Sequence, residues 1–310
     1  MGSAPCRGSG RLSTHLSVPA MPPSQPSQPS PAAGAALFDF VQRHPRLFVL
    51  TGAGISTDSG IPGYRDARGQ WQRSPPITLQ AFLGSHAGRQ RYWARSMLGW
   101  PLAGQARPND AHHALARLGA QGRMTALVTQ NVDGLHQRAG SQGVIELHGS
   151  LASAICLDCG ASHDRAGLQD WLVSRNAALR DVIAPPAADG DVHFESPLFA
   201  QFQVPDCSHC GGILKPDVVF FGESVPRTRV DAARAALAAA DAMLVVGSSL
   251  MVYSGYRFCV WAGQMGKPVA ALNLGTTRAD AMLALKVEAG CAPALQALVS
   301  RLEQDTAGSR

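Results

Sequence analysis

The stretch LFVLTGAG at residues 47–54 decides the fold of this 310-residue chain. Its first five residues predict a buried strand, and the two glycines predict a tight turn directly after it. Three more apolar runs end in small polar residues in the same way, namely MTALVTQN (124–131), DAMLVVGSS (241–249) and PVAALNLG (268–275). Helical patterns precede two of them, DAHHALARLGA (110–120) and RVDAARAALAAAD (229–241). Strands that alternate with helices predict an α/β fold with a Rossmann-like, doubly wound parallel sheet.

The composition is that of a globular enzyme. Hydrophobic residues make up 45% of the chain and charged residues 16%, which is ordinary for a domain with a sizeable core. No apolar run approaches the roughly 20 residues that span a bilayer, so no membrane segment is predicted. The net charge of +5 favours acidic partners weakly. The arginines are scattered, so we expect no specific nucleic-acid partner. Separately, we expect the protein to be a monomer.

Composition also predicts how the chain is divided. Residues 1–34, rich in Pro, Ser and Gln, predict a disordered extension, and a short helix follows from Leu37. This extension could be a transit peptide, or an over-long start with Met21 as the true first residue. The predicted Rossmann-like domain comprises 35–65, 109–149 and 215–305. The segments 66–108 and 150–214 interrupt the alternation, and predict a smaller helical domain that carries the paired cysteines.

Four of the seven cysteines form two Cys-x-x-Cys pairs, Cys156 with Cys159 and Cys207 with Cys210. Each pair lies beside glycine, as in a knuckle that presents two thiolates to one tetrahedral Zn²⁺. Four thiolates leave no open position for water, so this zinc would be structural. Two disulfides or redox motifs are the alternative. An odd number of cysteines in a long chain favours a metal site and a reducing compartment, which predicts a cytoplasmic protein, or alternatively one of the mitochondrial matrix.

The turn Gly52-Ala53-Gly54 could bind a pyrophosphate, because glycine lets the backbone approach closely and a helix N-terminus supplies N–H donors. The usual G-x-G-x-x-G pattern fails here, since position 57 is Thr and the next glycine is Gly60. No acidic residue ends a second strand about 20 residues further on, as a standard dinucleotide fold requires. Taken alone, the motif indicates a tight turn equally well.

A series of ordered motifs between about residues 37 and 300 resembles the sirtuin family. In chain order they are GAGIS (52–56) with SGIPGYR (59–65), TQNVDGLH (129–136), ELHG (146–149), the two cysteine knuckles, KPDVVFFGE (215–223), GSS (247–249) and NLG (273–275). The stretches RQRYWARSMLGWP and GSSLMVYSGYRF are similar to the class II branch of that family.

The resemblance implies an NAD-dependent protein-lysine deacylase that transfers the acyl group to ADP-ribose and releases nicotinamide. Its substrates would be acyl-lysine proteins or peptides, and it would hold one structural zinc ion. His148 would be the general base, removing a ribose hydroxyl proton after the acyl oxygen has attacked the carbon bearing nicotinamide. Asn131 would position the ribose or a water. The alternatives are a mono-ADP-ribosyltransferase, a deacylase of acidic or long-chain acyl groups, and a non-catalytic NAD-binding or zinc-scaffold protein.

The resemblance also implies a set of cofactor-binding residues. Within it Gln130 would bind a ribose hydroxyl, and Asp133 the carboxamide of nicotinamide. The residues themselves allow an Asx-turn after the strand, and a buried structural thiol at position 291. The full set is Gly52, Ala53, Gly54, Ser56, Ile61, Pro62, Tyr64, Arg65, Gln130, Asn131, Val132, Asp133, Gly247, Ser248, Ser249, Asn273, Leu274, Gly275 and Cys291. Many sirtuins have Phe where this chain has Tyr64.

The substrate residues implied by the resemblance are Val218, Val219, Phe220, Phe221 and Gly222, which would pair with a peptide by β-strand addition. A core strand is the alternative reading of this apolar run. Tyr92 and Arg95 match the Tyr-x-x-Arg spacing of the sirtuins that prefer acidic acyl groups. On a helix these two positions share one face, so both could reach one carboxylate. A solvated basic helix face is the alternative.

Overall fold

The computed structural model describes residues 28–72, 76–187 and 189–308. The strands are β1 Leu47–Thr51, β2 Met124–Thr129, β3 Ile145–Glu146, β4 Gly149–Cys156, β5 Ser162–Asp164, β6 Leu214–Val218, β7 Ala242–Val246, β8 Val269–Leu272 and β9 Leu285–Val287. The helices are α1 Pro31–Arg43, α2 Leu79–Gly84, α3 His86–Gln105, α4 Asp110–Ala120, α5 Leu135–Arg138, α6 Arg165–Arg175, α7 Arg227–Ala239, α8 Tyr253–Gln264 and α9 Cys291–Gly308. None of these helices is both long and apolar enough to cross a bilayer.

A six-stranded parallel sheet forms the centre of the molecule, with the strand order β3-β2-β1-β7-β8-β9. The chain runs outward from β1 through β2 to β3, and later returns to the other side of β1 with β7. The strand order therefore reverses at β1. In such sheets ligands bind at this reversal, outside the carboxyl ends of the strands. The predicted doubly wound α/β fold is confirmed.

Helices cover both faces of this sheet because successive side chains of each buried strand point in opposite directions. In β1, Val49 packs in one core cluster with α1, α4 and α9. Phe48 and Leu50 pack in a second cluster with α7 and α8. All three side chains are at most 1% exposed. Burying each contributes about 1.5–3 kcal/mol, so both layers hold the strand that leads into the glycine turn.

A second, three-stranded antiparallel sheet has the order β5-β4-β6. It packs against α2, α3 and α6 in a separate core cluster that contains the fully buried Trp93. The buried guanidinium of Arg165 lies 5.6 Å from the ring of Trp93 and 5.0 Å from that of Trp100. Strands β4 and β6 lie at the two ends of the predicted cysteine-bearing insertion. We propose that this sheet and its helices form the smaller domain.

The first helix begins earlier than the sequence pattern predicted. Helix α1 starts at Pro31, so it takes in the last four residues of the segment 1–34 that was expected to be disordered. Ser30 caps the helix by accepting a hydrogen bond of 3.2 Å from the amide of Ala33, and proline is favoured at the first helical position. Residues 1–27 lie outside the described residues.

Candidate active site

Four strands of the parallel sheet end at the same level. Thr51 pairs in register with Thr129 on one side and with Val246 on the other, and Val246 pairs with Leu272. The residues that follow these strand ends are Gly52, Gln130, Gly247 and Asn273. Each was predicted from the sequence to contact the cofactor, and the register of the sheet brings them to one edge.

A cavity of about 1200 Å³ opens at this edge. Its volume exceeds the range of roughly 300–1000 Å³ usual for small-molecule sites, and it is large enough for a dinucleotide together with a peptide side chain. The predicted site residues that line it are Gly52, Ala53, Gly54, Tyr64, Arg65, Tyr92, Gln130, Asn131, Val132, His148, Val218, Val219, Phe220, Phe221, Gly222, Gly247, Ser248, Ser249, Asn273, Leu274 and Cys291. The cavity therefore joins most of the predicted cofactor and substrate residues.

The turns after β1 and β7 pack backbone against backbone. A Cβ atom on Gly54 would lie 2.8 Å from the carbonyl oxygen of Gly247 and 3.0 Å from its Cα. Gly247 has a φ of +60°, and a Cβ there would lie 2.3 Å from the amide nitrogen of Ile55. No side chain fits at either contact, since real Cβ atoms do not approach so closely. Glycine is thus required at both positions.

Ser56 and Asp133 do not line the cavity but lie behind Asn131. The side-chain amide of Asn131 donates to the hydroxyl of Ser56 at 3.0 Å, and this hydroxyl donates to the carboxylate of Asp133 at 2.7 Å. The carboxylate also accepts from the backbone N–H of Leu135 at 2.9 Å. Burial raises the pKa of Asp133, while these two donors oppose the rise. The chain of hydrogen bonds fixes the orientation of the Asn131 amide.

His148 follows β3, and both ring nitrogens have partners. Nδ1 lies 3.0 Å from the backbone carbonyl oxygen of Gln130, and Nε2 lies 2.7 Å from the hydroxyl of Ser254. A carbonyl oxygen only accepts, so in the neutral ring Nδ1 carries the proton and Nε2 has the free electron pair. Burial lowers the pKa of His148 to about 4, with smaller contributions from the positive charges of Arg257 and Arg229. The ring is therefore neutral near pH 7, the state that a base requires.

Gln130 connects the base to the cofactor side of the cavity. Its backbone carbonyl accepts from His148, and its side-chain amide donates to the hydroxyl of Ser248 at 2.8 Å. The same hydroxyl accepts from the amide of Leu250 at 3.2 Å. Gln130 and Ser248 both line the cavity, so the predicted contact between the Gln130 side chain and a ribose is compatible with this position.

The segment after the first turn reaches across the cavity. The guanidinium of Arg65 lies 3.9 Å from the centre of the Trp71 ring, and its Nη1 donates to the carbonyl of Gly69 at 2.8 Å. Trp71 in turn contacts Phe221, with ring centres 5.6 Å apart. Trp71 therefore joins the predicted cofactor segment to the predicted substrate strand. Sequence reasoning did not single it out, because a lone tryptophan in a loop carries no spacing signal.

The remaining predicted cofactor residues have different surroundings. Ile61 is buried outside the cavity lining, and Pro62 and Gly275 are also absent from the lining. Gly275 packs closely against the segment that follows the glycine turn, since a Cβ there would lie 2.2 Å from the carbonyl oxygen of Ala67. Cys291 lines the cavity, and burial raises the pKa of its thiol to about 12, so it is an unreactive thiol.

The expected convergence of Tyr92 and Arg95 on one acyl carboxylate is not found. Tyr92 lines the cavity, but Arg95 does not. The guanidinium of Arg95 forms an ion pair of 2.9 Å with Asp191, and its Nε donates to the carbonyl of Val192 at 2.7 Å. The side chains of this pair are 17% and 12% exposed. This arrangement does not support the predicted contact of Arg95 with an acyl carboxylate, because Arg95 lies outside the cavity lining and is paired with Asp191.

The four paired cysteines form a cluster whose sulfur atoms all lie within 4.8 Å of one another. Sγ of Cys156 is 3.5 Å from Sγ of Cys210, and Sγ of Cys159 is 3.8 Å from Sγ of Cys207. Both distances exclude a disulfide, whose sulfurs lie about 2.05 Å apart. A tetrahedral zinc ion with Zn–S bonds of about 2.3 Å needs sulfur separations near 3.8 Å. The cluster fits a structural zinc site.

Two cavity residues that sequence reasoning missed lie on the first turns of α8. Ser254 contacts His148, and Arg257 follows it by three positions on the same helix face. The loop that leads into α8 contains Leu250, whose φ of 57° is the one positive value of a non-glycine residue in the described ranges. The stretch GSSLMVYSGYRF contains all three, but its resemblance to a branch of the family did not indicate their contacts.

Comparison with known proteins agrees with this geometry. A family profile described as the Sir2 family matches residues 52–254. The NAD-dependent protein deacetylase of Xanthomonas campestris pv. campestris strain 8004 is 59% identical over 262 residues, which cover 84% of this chain and 89% of the relative. NAD-dependent protein deacetylase 2 of Bradyrhizobium diazoefficiens is 58% identical over 269 residues, covering 87% of this chain and 98% of the relative.

Solved structures give the same result. A crystal structure of a Sir2 homologue in complex with NAD matches with a TM-score of 0.67 at 29% identity, covering 87% of this chain and 94% of that one. A Sir2 complex with a p53 peptide and NAD⁺ matches with a TM-score of 0.66 at 29% identity, covering 87% and 98%. The family profile spans most of the chain and includes the glycine turn, His148 and the cysteine cluster. This chain belongs to the Sir2 family.

Proposed function

We propose that this protein is an NAD-dependent protein-lysine deacetylase in which His148 is the general base. One observation carries the proposal: Nδ1 of His148 faces the backbone carbonyl of Gln130, which leaves Nε2 as the basic nitrogen, in a cavity lined by both the glycine turn and the predicted substrate strand. The curated relatives carry the same activity in their names. His148 would accept a proton from a ribose hydroxyl after nicotinamide has left.

The residues around the glycine turn would bind NAD. The glycines of the turn would let its backbone approach the phosphates, and Arg65 offers a cation in the same cavity. The amide of Asn131 would contact the ribose or a water, in the orientation that Ser56 and Asp133 impose. Because the amide is fixed before NAD binds, little ordering is left for the reaction itself.

The substrate peptide would pair with the backbone of Val219 to Gly222. The backbone N–H of Val219 donates to the carbonyl of His148 at 2.8 Å, so this segment starts beside the base. The loop from Leu250 to Tyr253 lines the cavity as well, and would flank the peptide on its other side. Backbone pairing reads sequence loosely, which suits a protein that acts on acyl-lysine in different proteins. The solved Sir2 complex with a p53 peptide supports peptide binding.

We further propose that one zinc ion is held by Cys156, Cys159, Cys207 and Cys210. With four thiolate ligands it would have no open position for water, so its role would be structural. The ion would hold the ends of β4 and β6 together. The reduced cluster suits a cytoplasmic location, as expected from the cysteine pattern.

The test measures two reactions of the His148→Ala variant. Deacetylation of an acetyl-lysine peptide should fall by roughly 10²–10⁴-fold, the usual contribution of a general base. Exchange of labelled nicotinamide into NAD should persist, because the base acts after nicotinamide leaves. His113→Ala, at an exposed histidine outside the cavity lining, is the control. Deacetylation within a few-fold of the wild type would disprove the assignment.

The same assay separates the alternative of mono-ADP-ribosyl transfer. In a deacetylase, release of nicotinamide depends on an acyl-lysine peptide and yields an acylated ADP-ribose. In a protein ADP-ribosyltransferase, ADP-ribose becomes attached to protein without any acyl-lysine. Mass spectrometry of the peptide and nucleotide products distinguishes the two.

A further inference from the structure

Ser254 has a contact with the base that the proposed mechanism does not yet use. Its hydroxyl oxygen lies 2.7 Å from Nε2 of His148, while Nδ1 faces the carbonyl of Gln130. Since Nδ1 carries the ring proton, Nε2 can only accept, and the hydroxyl hydrogen of Ser254 fills this contact. The electron pair of the base is therefore occupied by a side chain of the protein.

The position of Ser254 is held by its surroundings. It lies in the first turn of α8, and the next residue, Gly255, packs against Gln130, where a Cβ would lie 2.4 Å from the side-chain oxygen. The loop before α8 passes through Leu250, which is 1% exposed and has a left-handed backbone. Such a conformation is strained in a residue that is not glycine, and persists only where the surrounding packing requires it. The hydroxyl is thus placed by packing on both sides.

Both His148 and Ser254 line the cavity. A ribose hydroxyl that approached Nε2 directly would have to displace Ser254 from its hydrogen bond. A ribose hydroxyl that donated to the oxygen of Ser254 would leave that hydrogen bond in place. The second arrangement needs no rearrangement of the base.

We propose that Ser254 is a proton relay between the ribose hydroxyl and His148. The inference rests on the proposed role of His148 as the base. The ribose O–H bond breaks and its proton passes to the oxygen of Ser254, while the O–H bond of Ser254 breaks and its proton passes to Nε2. The ribose oxygen becomes the nucleophile, Ser254 regains a neutral hydroxyl, and His148 becomes a cation.

The relay also stabilises the charged ring. After the transfer, Nδ1–H still donates to the carbonyl of Gln130, and Nε2–H donates to the oxygen of Ser254. Both N–H groups of the imidazolium then have acceptors. This matters because burial and the charges of Arg257 and Arg229 all disfavour the cation. Without the hydroxyl, the buried Nε2–H would lack this acceptor.

Ser254→Ala and Ser254→Thr test the relay, with deacetylation and nicotinamide exchange measured on both. The alanine variant should lose deacetylation by at least about tenfold, and keep nicotinamide exchange within about threefold of the wild type. The threonine variant keeps a hydroxyl, and should recover most of the lost rate. Two protons move in one step in the wild type, so its rate in mixtures of H₂O and D₂O should curve with the deuterium fraction. Ser174→Ala, at an exposed position of α6 outside the cavity lining, is the matched control.

Three results would overturn the relay. Unchanged or faster deacetylation in Ser254→Ala would show that the Ser254 hydroxyl only competes with the ribose hydroxyl for Nε2 of His148. Parallel losses of deacetylation and exchange would show that Ser254 has a structural role. Failure of threonine to restore activity beyond alanine would show that the hydroxyl itself is not required. His148→Ala is measured in the same assays. If this variant retains deacetylation, His148 is not the base. If it loses deacetylation and Ser254→Ala does not, the relay alone is rejected.

Discussion

The amide nitrogen of Gly54 lies 2.8 Å from the carbonyl oxygen of Gly247, so the turns after β1 and β7 are joined by a direct backbone hydrogen bond. Both turns line the cavity, so this bond fixes the position of one turn against the other at the carboxyl end of the sheet. Any side chain between the two turns must separate them, and the backbone proposed to approach the phosphates would move with the first turn.

We therefore expect Gly54→Ala to raise the KM for NAD by about tenfold or more, which corresponds to roughly 1.4 kcal/mol. The KM for the peptide should change less, because the substrate strand does not touch this contact. Gly104→Ala is the control, since a Cβ at that position of α3 meets nothing within 4 Å. Steady-state kinetics and calorimetric NAD titration measure the effect, and an unchanged affinity for NAD would contradict it.

The acid limb of the pH profile should lie below the ordinary range of histidine. The pKa of His148 is lowered to about 4 from 6.5, so lowering the pH from 7 to 6 leaves the base neutral in the free enzyme. The dependence of kcat/KM on pH reports groups of the free enzyme. Removing the charge of Arg257 removes one cause of the lowered pKa, so Arg257→Gln should move the acid limb to higher pH.

Arg227→Gln is the control for this measurement, because the Arg227 side chain is 93% exposed and is not among the causes of the shift. A profile of Arg257→Gln that coincides with the wild type would show that Arg257 does not act on the base.

Replacing Arg95 should destabilise the protein without changing its acyl preference. Arg95 and Asp191 form a largely buried ion pair, and breaking such a pair costs roughly 3 kcal/mol because one charge stays buried. Arg95→Met should lower Tm, and reduce the rates on acetyl-lysine and glutaryl-lysine peptides by the same factor. Arg91→Met is the control, because its pair with Glu195 is half exposed and contributes at most about 1 kcal/mol. A selective loss on the glutaryl peptide would restore the carboxylate role that the sequence suggested.

Metal analysis should find one zinc ion per chain, released in Cys207→Ser. A closed thiolate site contributes directly to folding, so the variant and the chelated wild type should both show a lower Tm and reduced activity. Cys259→Ala is the control, since this buried thiol lies on α8 in a different core cluster from Cys156 and Cys207. Full zinc content in Cys207→Ser would reject the ligand set.

Two buried histidines should make the protein sensitive to acid. Burial lowers the pKa of His136 to about 3 and that of His112 to about 4. Between about pH 6.5 and pH 4 the unfolded chain binds protons at both, whereas the folded chain does not, so the free energy of unfolding falls as the pH drops through this range. Each group contributes at most about 1.4 kcal/mol per pH unit. His136→Gln keeps a donor for the hydroxyl of Thr51 and should flatten this dependence, while the exposed His113→Gln should not. The free energy of unfolding is measured by urea titration at several pH values. An equal dependence on pH in His136→Gln and His113→Gln would contradict the role of buried His136.

The parallel sheet could be predicted because each of its main strands is a short apolar run that ends in glycine or a polar residue. The helix over 110–120 has the predicted bounds, because Asn109 caps it and its apolar positions follow the helical period. The start of α1 was missed, because Pro and Ala next to a polar tract read as disorder although Ser30 and Pro31 form a helix start. Sheet β5-β4-β6 was not predicted, since β4 pairs with β6 across the whole cysteine-bearing segment and β5 has only three residues.

The site was predicted where motifs follow strand ends, since register then brings them together. Spacing could not show what else a side chain contacts. The i and i+3 spacing of Tyr92 and Arg95 is correct for one helix face, yet Asp191, about a hundred positions further on, takes the arginine. Ser254 shows the reverse case. It reaches the base only because the first turn of α8 packs against Gln130, and no local pattern records that contact.

Strand β4 begins one residue after His148 and ends at Cys156, so the base and the cysteine cluster lie at opposite ends of a single eight-residue strand. Gly149 pairs with Val218 and Cys156 with Leu214, four residues apart on β6, so at about 3.3 Å per residue the two ends of β4 lie roughly 13 Å apart. At the start of this strand, Gly149 passes so close to β6 that a Cβ would overlap the carbonyl of Asp217. We expect a displacement at the cluster end of β4 to reach Gly149, the residue next to the base, through the pairing of β4 with β6. Oxidants or thiol-binding metals that attack the cluster should therefore inhibit the enzyme without entering its active site, and a thiol reductant supplied with zinc should reverse the inhibition.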